Sequence, residues 1–537
     1  MKIPITFFDD VQEDEPPPAF ATERVADLDL APVRAAQLRW AATPVHERLC
    51  VVKKFRHALA ARSPELVRAL QPASKTGAAE IISAQIIPLA EACKFLEREA
   101  EKILRANRRP RGPIPLWLRD TRAEVHREPC GIVLVVAPSN YPIFLPGVVL
   151  VQALAAGNAV LLKPAPGGGA AVDALLNLLR TAELPAALVL KLDESARAVH
   201  DALAAGVDKV VFTGSAATGQ KILHACAQHL VPATMELSGC DAMFVRADAD
   251  VPLAARALHF GLRLNRGATC IAPRRVFVHE SRAAEFEAEC RHLFSESETW
   301  LSHSTNGEPP SRSGAAVPAG VLQPGRPQDD GRRDACPTTE VPPLVAQLVV
   351  EAASQGARVL TGEVNHLGEV TLPLLVTDAR PGMRLLREDH FSSVAAVVRV
   401  RDDDDALAAN DECPYALGAS VFSVDEAAAR SFAARINAGS VVLNDLIVPT
   451  ADPRLPFGGR QQSGFGVTRG AEGLLDLTVP KVIITRRGNW RPHQTAPRHG
   501  DAEFFQQFLT LTHAAKWAAR WKAALALFRA ARQRTKL

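Results

Sequence analysis

The sequence predicts an α/β protein whose parallel sheets are wound with helices, and three observations predict it. Short apolar runs recur from residue 129, namely "GIVLVVAP", "NAVLLKPAP", "ALVLKL" and "DKVVFTGS", each closed by Pro, Gly, Ser or a charge. Helical stretches such as "GGAAVDALLNLLRTAEL" lie between them. A second series follows, with "AMFV", "RRVFVHE", "GARVLTG", "SSVAAVVRV" and "GSVVLND". Strands covered on both faces read as continuous apolar runs, and their alternation with helices marks a parallel sheet. At 537 residues the chain is too long for one ordinary core, so two or three domains are expected.

In chain order, a Pro-rich leader (Pro16 to Pro18) precedes residues 23–108, which read as helices. "HERLCVVKKFRHALAAR" and "AQIIPLAEACKFLEREAEKIL" space their apolar residues by three and four, with charges between. "RRPRGPIP" breaks that period, and "LWLRDTRAEVHREP" alternates like an exposed hairpin. Residues 302–343 are rich in Pro, Gly, Ser and Arg without apolar period, the pattern of a disordered surface loop. The last stretch sets Trp517, Trp521, Leu525 and Phe528 on one helical stripe flanked by Lys516, Arg520, Lys522 and Arg529. Such a helix either docks on its own protein or lies on a membrane surface or partner.

Charge narrows the partners. The formal net charge of +3 gives no reason to expect nucleic acid, but residues 491–537 hold nine Lys/Arg against two acids. Nine scattered cysteines without C-x-x-C imply neither a disulfide framework nor a metal site, and fit a reducing, cytoplasmic setting. The start, "MKIPITFFDDVQEDEPPPAF", lacks an apolar h-region, so no secretory signal is expected, and no apolar run reaches the length of a membrane span.

One cysteine stands out. "NRGATCIAPRR" puts Cys270 after a glycine and small polar residues, just before a strand-like run. Alone it is either a buried small hydrophobe or a nucleophile, and a nucleophile needs a base and an oxyanion site nearby. "TMELSGCD" sets Glu236 in an apolar run, where a carboxylate has a raised pKa and could act as a base. "APSNYP" holds Asn140 near two prolines that stiffen its backbone. "LLKPAP" puts Lys163 at a strand exit, and "FTGSAATG" joins a strand to a helix, so its N–H groups could face a phosphate. Each taken singly also fits an ordinary turn or a paired structural residue.

Together these segments run as P-x-N-x-P, strand-Lys-Pro, F-T-G-S-x-x-x-G, E-L-x-G, G-x-x-C, E-D-x-F and P-F-G-G-x-x-x-S-G. In that order the chain resembles the aldehyde dehydrogenase superfamily, over about residues 30–488. Asn140 and Lys163 stand 23 residues apart, and Glu236 and Cys270 stand 34 apart, both intervals as in the family.

The resemblance implies a Rossmann-like cofactor domain (1–108 and 129–237, with the N-terminal helices), an α/β catalytic domain (238–445), oligomerisation strands (109–128 and 478–488) and a basic extension (489–537). It implies NAD(P)-dependent oxidation of a small-molecule aldehyde to an acid. Cys270 would form a thiohemiacetal and then, on hydride transfer to nicotinamide, a thioester; Glu236 would activate the hydrolytic water. Asn140 would bind the oxyanion. Pro138, Ser139, Lys163, Gly214, Ser215, Gly219, Leu237, Glu388, Asp389 and Phe391 would line the NAD or NADP site, with Phe457 in the aldehyde tunnel. A homodimer or homotetramer is expected, as is peripheral membrane contact through the C-terminal helix.

The departures from the family are specific. Pro166 stands where NAD-preferring members carry a Glu, Asp389 where a longer acid is usual, and Ser139 and Ala268 replace an aromatic and a glutamine. Two rival readings are a CoA-acylating enzyme, which the presence of Glu236 disfavours, and a non-catalytic scaffold or membrane-surface homologue.

Overall fold

The computed structural model describes residues 28–74, 76–108, 118, 120–296, 343–362, 373–489, 491–494, 496 and 500–534. The Pro-rich leader and, apart from Pro343, the 302–343 loop lie outside the described residues. The chain divides into two compact units, Met1–Arg105 with Arg127–Lys481, and Ala106–His126 with Val482–Leu537.

Within the first unit a six-stranded sheet runs in the order Gly464–Phe465, Ala233–Leu237, Lys209–Gly214, Ile132–Val136, Ala159–Lys163, Val189–Lys191. All its strands are parallel except Gly464–Phe465. Every residue of Ile132–Val136 and Ala159–Lys163 is buried, which is why these strands read as unbroken apolar runs. The N-terminal helices Ala31–Ala42, Val45–Ala61, Ser63–Ser74 and Ile87–Leu104 share this sheet's core, with Phe55, Leu59 and Leu89 fully buried.

A seven-stranded sheet follows, in the order Arg358–Thr361, Leu374–Thr377, Val394–Val400, Pro273–His279, Asp241–Val245, Gly418–Phe422, Ser440–Leu443. Its first strand is antiparallel to its neighbour and the rest are parallel. Along Val394–Val400 alternate residues feed two separate apolar cores, one on each face. Gly418–Phe422 was not expected as a strand: three of the five residues of "GASVF" are small and of low β propensity, and pairing with strands on both sides overrides that.

A third sheet orders Asn107–Arg108, Thr121–Pro129 and Thr478–Arg486. The terminal stretch forms two helices, Asp501–His513 and Trp517–Arg534, rather than one, because Ala514 turns extended (φ −63°, ψ 140°) between them. No helix among the described residues is long and apolar enough to cross a membrane.

Candidate active site

Glu236 lies on a strand of the six-stranded sheet and Cys270 on the loop that leads into Pro273–His279 of the seven-stranded sheet, and the loop after Glu236 passes against the cysteine loop. Glu236 lies near the end of Ala233–Leu237, and the chain then crosses into Asp241–Val245 through Ser238 and Gly239. A Cβ on Gly239 would press within 2.6 Å of the Cys270 carbonyl oxygen, so only glycine lets the two loops pass this closely. Ser463, fully buried, fastens the same crossing: its hydroxyl donates to Ser238 O at 2.9 Å and accepts from the Ala416 N–H at 3.0 Å. The spacing of E-L-x-G and S-G thus reflects one joint between the two sheets.

The cysteine loop is bent by three successive residues with positive φ, Asn265 (48°), Arg266 (53°) and Gly267 (76°). Such backbone is strained and survives only when its surroundings over-determine it. Here they do. The Asn265 N–H donates to Glu80 Oε1 at 2.6 Å, and its side-chain amide donates to Asn140 O and Ala268 O, both at 3.0 Å. The Arg274 guanidinium, fully buried, donates to the carbonyls of Gly267 and Ser392 and so ties the cysteine loop to the Phe391 loop. Glu80 and Arg274 were not legible as site-supporting residues, since single residues on helices or strands carry no spacing signal.

Asn140 follows Ile132–Val136, and its Nδ2 donates to Ala268 O at 3.1 Å on the cysteine loop. The Cys270 N–H takes no backbone acceptor among the described residues. Tyr141 pins the neighbouring position through a 2.6 Å hydrogen bond with Thr269.

Electrostatics set the resting state. Burial pushes the Cys270 thiol up to about 12, helped by Asp241 and Glu236 and opposed by Arg469, so the free site holds a neutral thiol. Burial also raises the Glu236 pKa, while Arg469 and the hydroxyls of Thr468 and Thr213 work against it. Thr213 donates to Oε2 at 3.3 Å and Thr468 to Oε1. A carboxylate whose pKa is raised is a stronger base than a freely solvated one.

The remaining expected residues fall in three places. Lys163 ends its strand buried, and Ser215 caps the helix Ala216–His229, its Oγ accepting from the Thr218 N–H at 3.3 Å. The first-turn N–H groups after Ser215, at the C-terminal edge of a parallel sheet with a buried lysine on the next strand but one, fit the phosphates of a dinucleotide. Gly214 closes the preceding strand, Gly219 packs on Leu237, and Pro138 and Ser139 lie half-buried before Asn140. Asp389 faces Cys270 and accepts from the Phe391 N–H at 3.1 Å, with Phe391 at φ 44°. Glu388 instead pairs with Arg384 at 2.6 Å on the surface, so the two adjacent acids point to different tasks. Phe457 is buried against Arg469. Among the described residues no cluster suits a metal ion.

The profile of the "Aldehyde dehydrogenase family" matches residues 19–299 and 339–483, well over half the chain. The chain belongs to the aldehyde dehydrogenase family. It is accordingly an NAD(P)-dependent oxidoreductase of the aldehyde dehydrogenase fold. Curated relatives of this aldehyde dehydrogenase include the 4,4'-diapolycopene aldehyde oxidase of Methylomonas sp., 30% identical over 86% of this chain and 83% of that protein. The vanillin dehydrogenase of Pseudomonas fluorescens is 30% identical over 90% and 92%. Among solved structures, the NADP-dependent glyceraldehyde-3-phosphate dehydrogenase of Bacillus halodurans with NADP superposes with TM-score 0.71 at 26% identity, covering 85% of this chain and 90% of that one. A Mycobacterium tuberculosis aldehyde dehydrogenase with NAD+ gives TM-score 0.71 at 25% identity, covering 86% and 90%.

Proposed function

We propose that this aldehyde dehydrogenase oxidises an apolar aldehyde to its carboxylic acid with Cys270 as nucleophile and Glu236 as the base of hydrolysis. The observation that carries the reading is a buried carboxylate that accepts from two hydroxyls, in the electrostatic reach of a half-buried thiol whose loop accepts a hydrogen bond from the Asn140 amide. The Cys270 thiol gives up its proton to water as its sulfur bonds to the aldehyde carbon. The oxygen that becomes negative is met by Asn140 Nδ2 and the Cys270 N–H. When bound, the nicotinamide would supply the hydride acceptor, so that the thiohemiacetal on Cys270 could become a thioester. Glu236 then removes a proton from water, whose oxygen displaces the Cys270 sulfur and releases the acid. Water rather than CoA takes the acyl group in this reading, because Glu236 is present and free to serve it.

Lys163, Ser215, Gly214, Gly219, Leu237, Pro138, Ser139, Asp389 and Phe391 bind and orient the dinucleotide, and Pro166 leaves the ribose 2′ position without a carboxylate. Cofactor and catalytic domains follow the two larger sheets, with the strands Thr121–Pro129 and Thr478–Arg486 pairing copies into a homodimer or homotetramer. Exposed Val482 and Ile484 on Thr478–Arg486 favour such a contact. An apolar substrate is favoured by Phe457 beside the site and by the likeness to an oxidase named for a diapolycopene aldehyde. The protein works in the cytoplasm and touches membranes through its basic C-terminal helix.

Cys270→Ala tests the assignment. Turnover should vanish while dinucleotide affinity stays within a few fold, because the thiol makes the covalent bond and contributes little to cofactor binding. Wild-type turnover in that variant refutes it.

A further inference from the structure

Arg469 is a charge that the reaction so far leaves unused. It is 6% exposed and lies at φ 60°, immediately after the Thr468 whose hydroxyl holds Glu236. Its guanidinium covers the Phe457 ring at 4.0 Å and reaches the Phe144 ring at 5.6 Å. Nη1 donates to Thr450 O at 2.8 Å and the backbone N–H to Gln152 Oε1 at 3.3 Å, while Nε is buried without an acceptor. No carboxylate pairs with it directly among the described residues. A buried guanidinium without an ion-pair partner is expensive, and its retention calls for a compensating role.

The anion it faces is Glu236. The charged and titratable groups around that carboxylate are Arg469 and the Cys270 thiol; Asp241 and Asp389 face Cys270, and Arg274 is set against both. The separation matters. A bidentate arginine would occupy the lone pairs that must accept a proton from water and would make the carboxylate too acidic to be an effective base. A cation held back by Phe457 and Thr450 offsets desolvation through space and leaves those lone pairs free.

We propose that Arg469 is a positioning residue for Glu236, a fixed countercharge that keeps the deacylating carboxylate ionised in a site otherwise too dry to ionise it. The proposal rests on Glu236 being the base of hydrolysis. Removing the cation raises the Glu236 pKa, so base-catalysed deacylation is lost on the acid side and recovers as pH rises. Acylation, which Asn140 and the Cys270 N–H support, suffers less.

The test needs no hydride transfer. p-Nitrophenyl acetate acylates Cys270 with loss of p-nitrophenolate, and water then releases acetate, so burst and steady state read the two half-reactions separately. Full-length wild type, Arg469→Gln, Arg469→Lys and Glu236→Gln are compared across pH, with thermal unfolding as the check of folding. Arg469→Gln, which can still bond to Thr450 O, should keep its burst within about threefold. Its steady rate at pH 7 should fall about tenfold or more, with the acid limb of the profile moved to higher pH. Arg469→Lys should restore most of the rate. If Arg469→Gln does not fold, Arg469→Met, which keeps the apolar contact with Phe457, carries the same comparison. An unmoved acid limb overturns the proposal. So does a loss confined to KM for aldehydes bearing a distal carboxylate, which would make Arg469 a substrate anchor. If Glu236→Gln itself lowers burst and steady rate equally, the hydrolytic-base reading fails and takes this proposal with it; a normal Glu236→Gln with an unmoved Arg469→Gln limb sinks only the proposal.

Discussion

The loop that carries Cys270 and the helix that carries Trp517 are held in opposite ways. Around the cysteine, strained backbone at Asn265, Arg266 and Gly267 is fixed by Glu80 and Asn140, which reach in from distant parts of the chain, and by Arg274 just beyond the loop. On the terminal helix, Trp517 and Trp521 stack on one another at 6.0 Å yet stay 75% and 59% exposed, with Leu525 and Phe528 exposed beside them. The loop is finished within one chain and preorganised for charge that develops in a reaction. The helix presents an apolar stripe that a single chain leaves in water, which is costly unless another surface covers it.

The comparison breaks first at Asn140. If the loop is preorganised for an oxyanion, Asn140→Ala should lower turnover about 100- to 1000-fold while leaving dinucleotide binding nearly unchanged. Steady-state kinetics with dinucleotide titration checks this, and a loss of less than about tenfold would mean that the amide only braces Ala268.

A smaller effect is expected at the tail. Each basic residue near an anionic surface is worth about 1 kcal/mol, and four flank the apolar stripe. The full chain should therefore sediment with anionic vesicles, and a chain ending at Arg487 should not, while turnover of a short soluble aldehyde stays within about twofold. If both chains stay in the supernatant and the shorter one loses its oligomeric state, the stripe belongs to a protein contact.

The smallest expected difference concerns cofactor choice. Pro166 is exposed and neither bonds a 2′-hydroxyl nor repels a 2′-phosphate. NADP and NAD should then serve within about tenfold in kcat/KM, or roughly 1.4 kcal/mol. A preference above a thousandfold would place ribose reading elsewhere, with Glu194 the nearest carboxylate to examine, since it already accepts from the N–H groups of Gly167 and Gly169 at 2.6 and 2.8 Å.

What was legible in the sequence follows the same division. Residues whose chemistry demands a fixed interval along the chain, such as Glu236 before Gly239 and Ser463 before Gly464, leave a readable motif because the backbones cross within contact distance there. Most strands were readable because burial on both faces makes them uniformly apolar. Gly418–Phe422 was not, because it opens on Gly-Ala-Ser, and at Gly418 the Asp241 side chain leaves no room for a Cβ. Glu80 and Arg469 were hidden for another reason: they act on the site from far away in sequence, and nothing local distinguishes them, or Arg274 close to the cysteine, from ordinary polar residues. The break at Ala514 was equally silent, since "THAAKW" has no proline or glycine to announce it.

The central claim is that the acyl group passes through Cys270 and leaves with the help of Glu236. Its most direct test is intact-protein and peptide mass spectrometry of Glu236→Gln, quenched during turnover with NAD(P) and an aldehyde. The account predicts one acyl adduct per chain, carried by the peptide containing Cys270 and absent from the Cys270→Ala, Glu236→Gln double variant. An adduct on another residue, or turnover that continues with no adduct on Cys270, would contradict it.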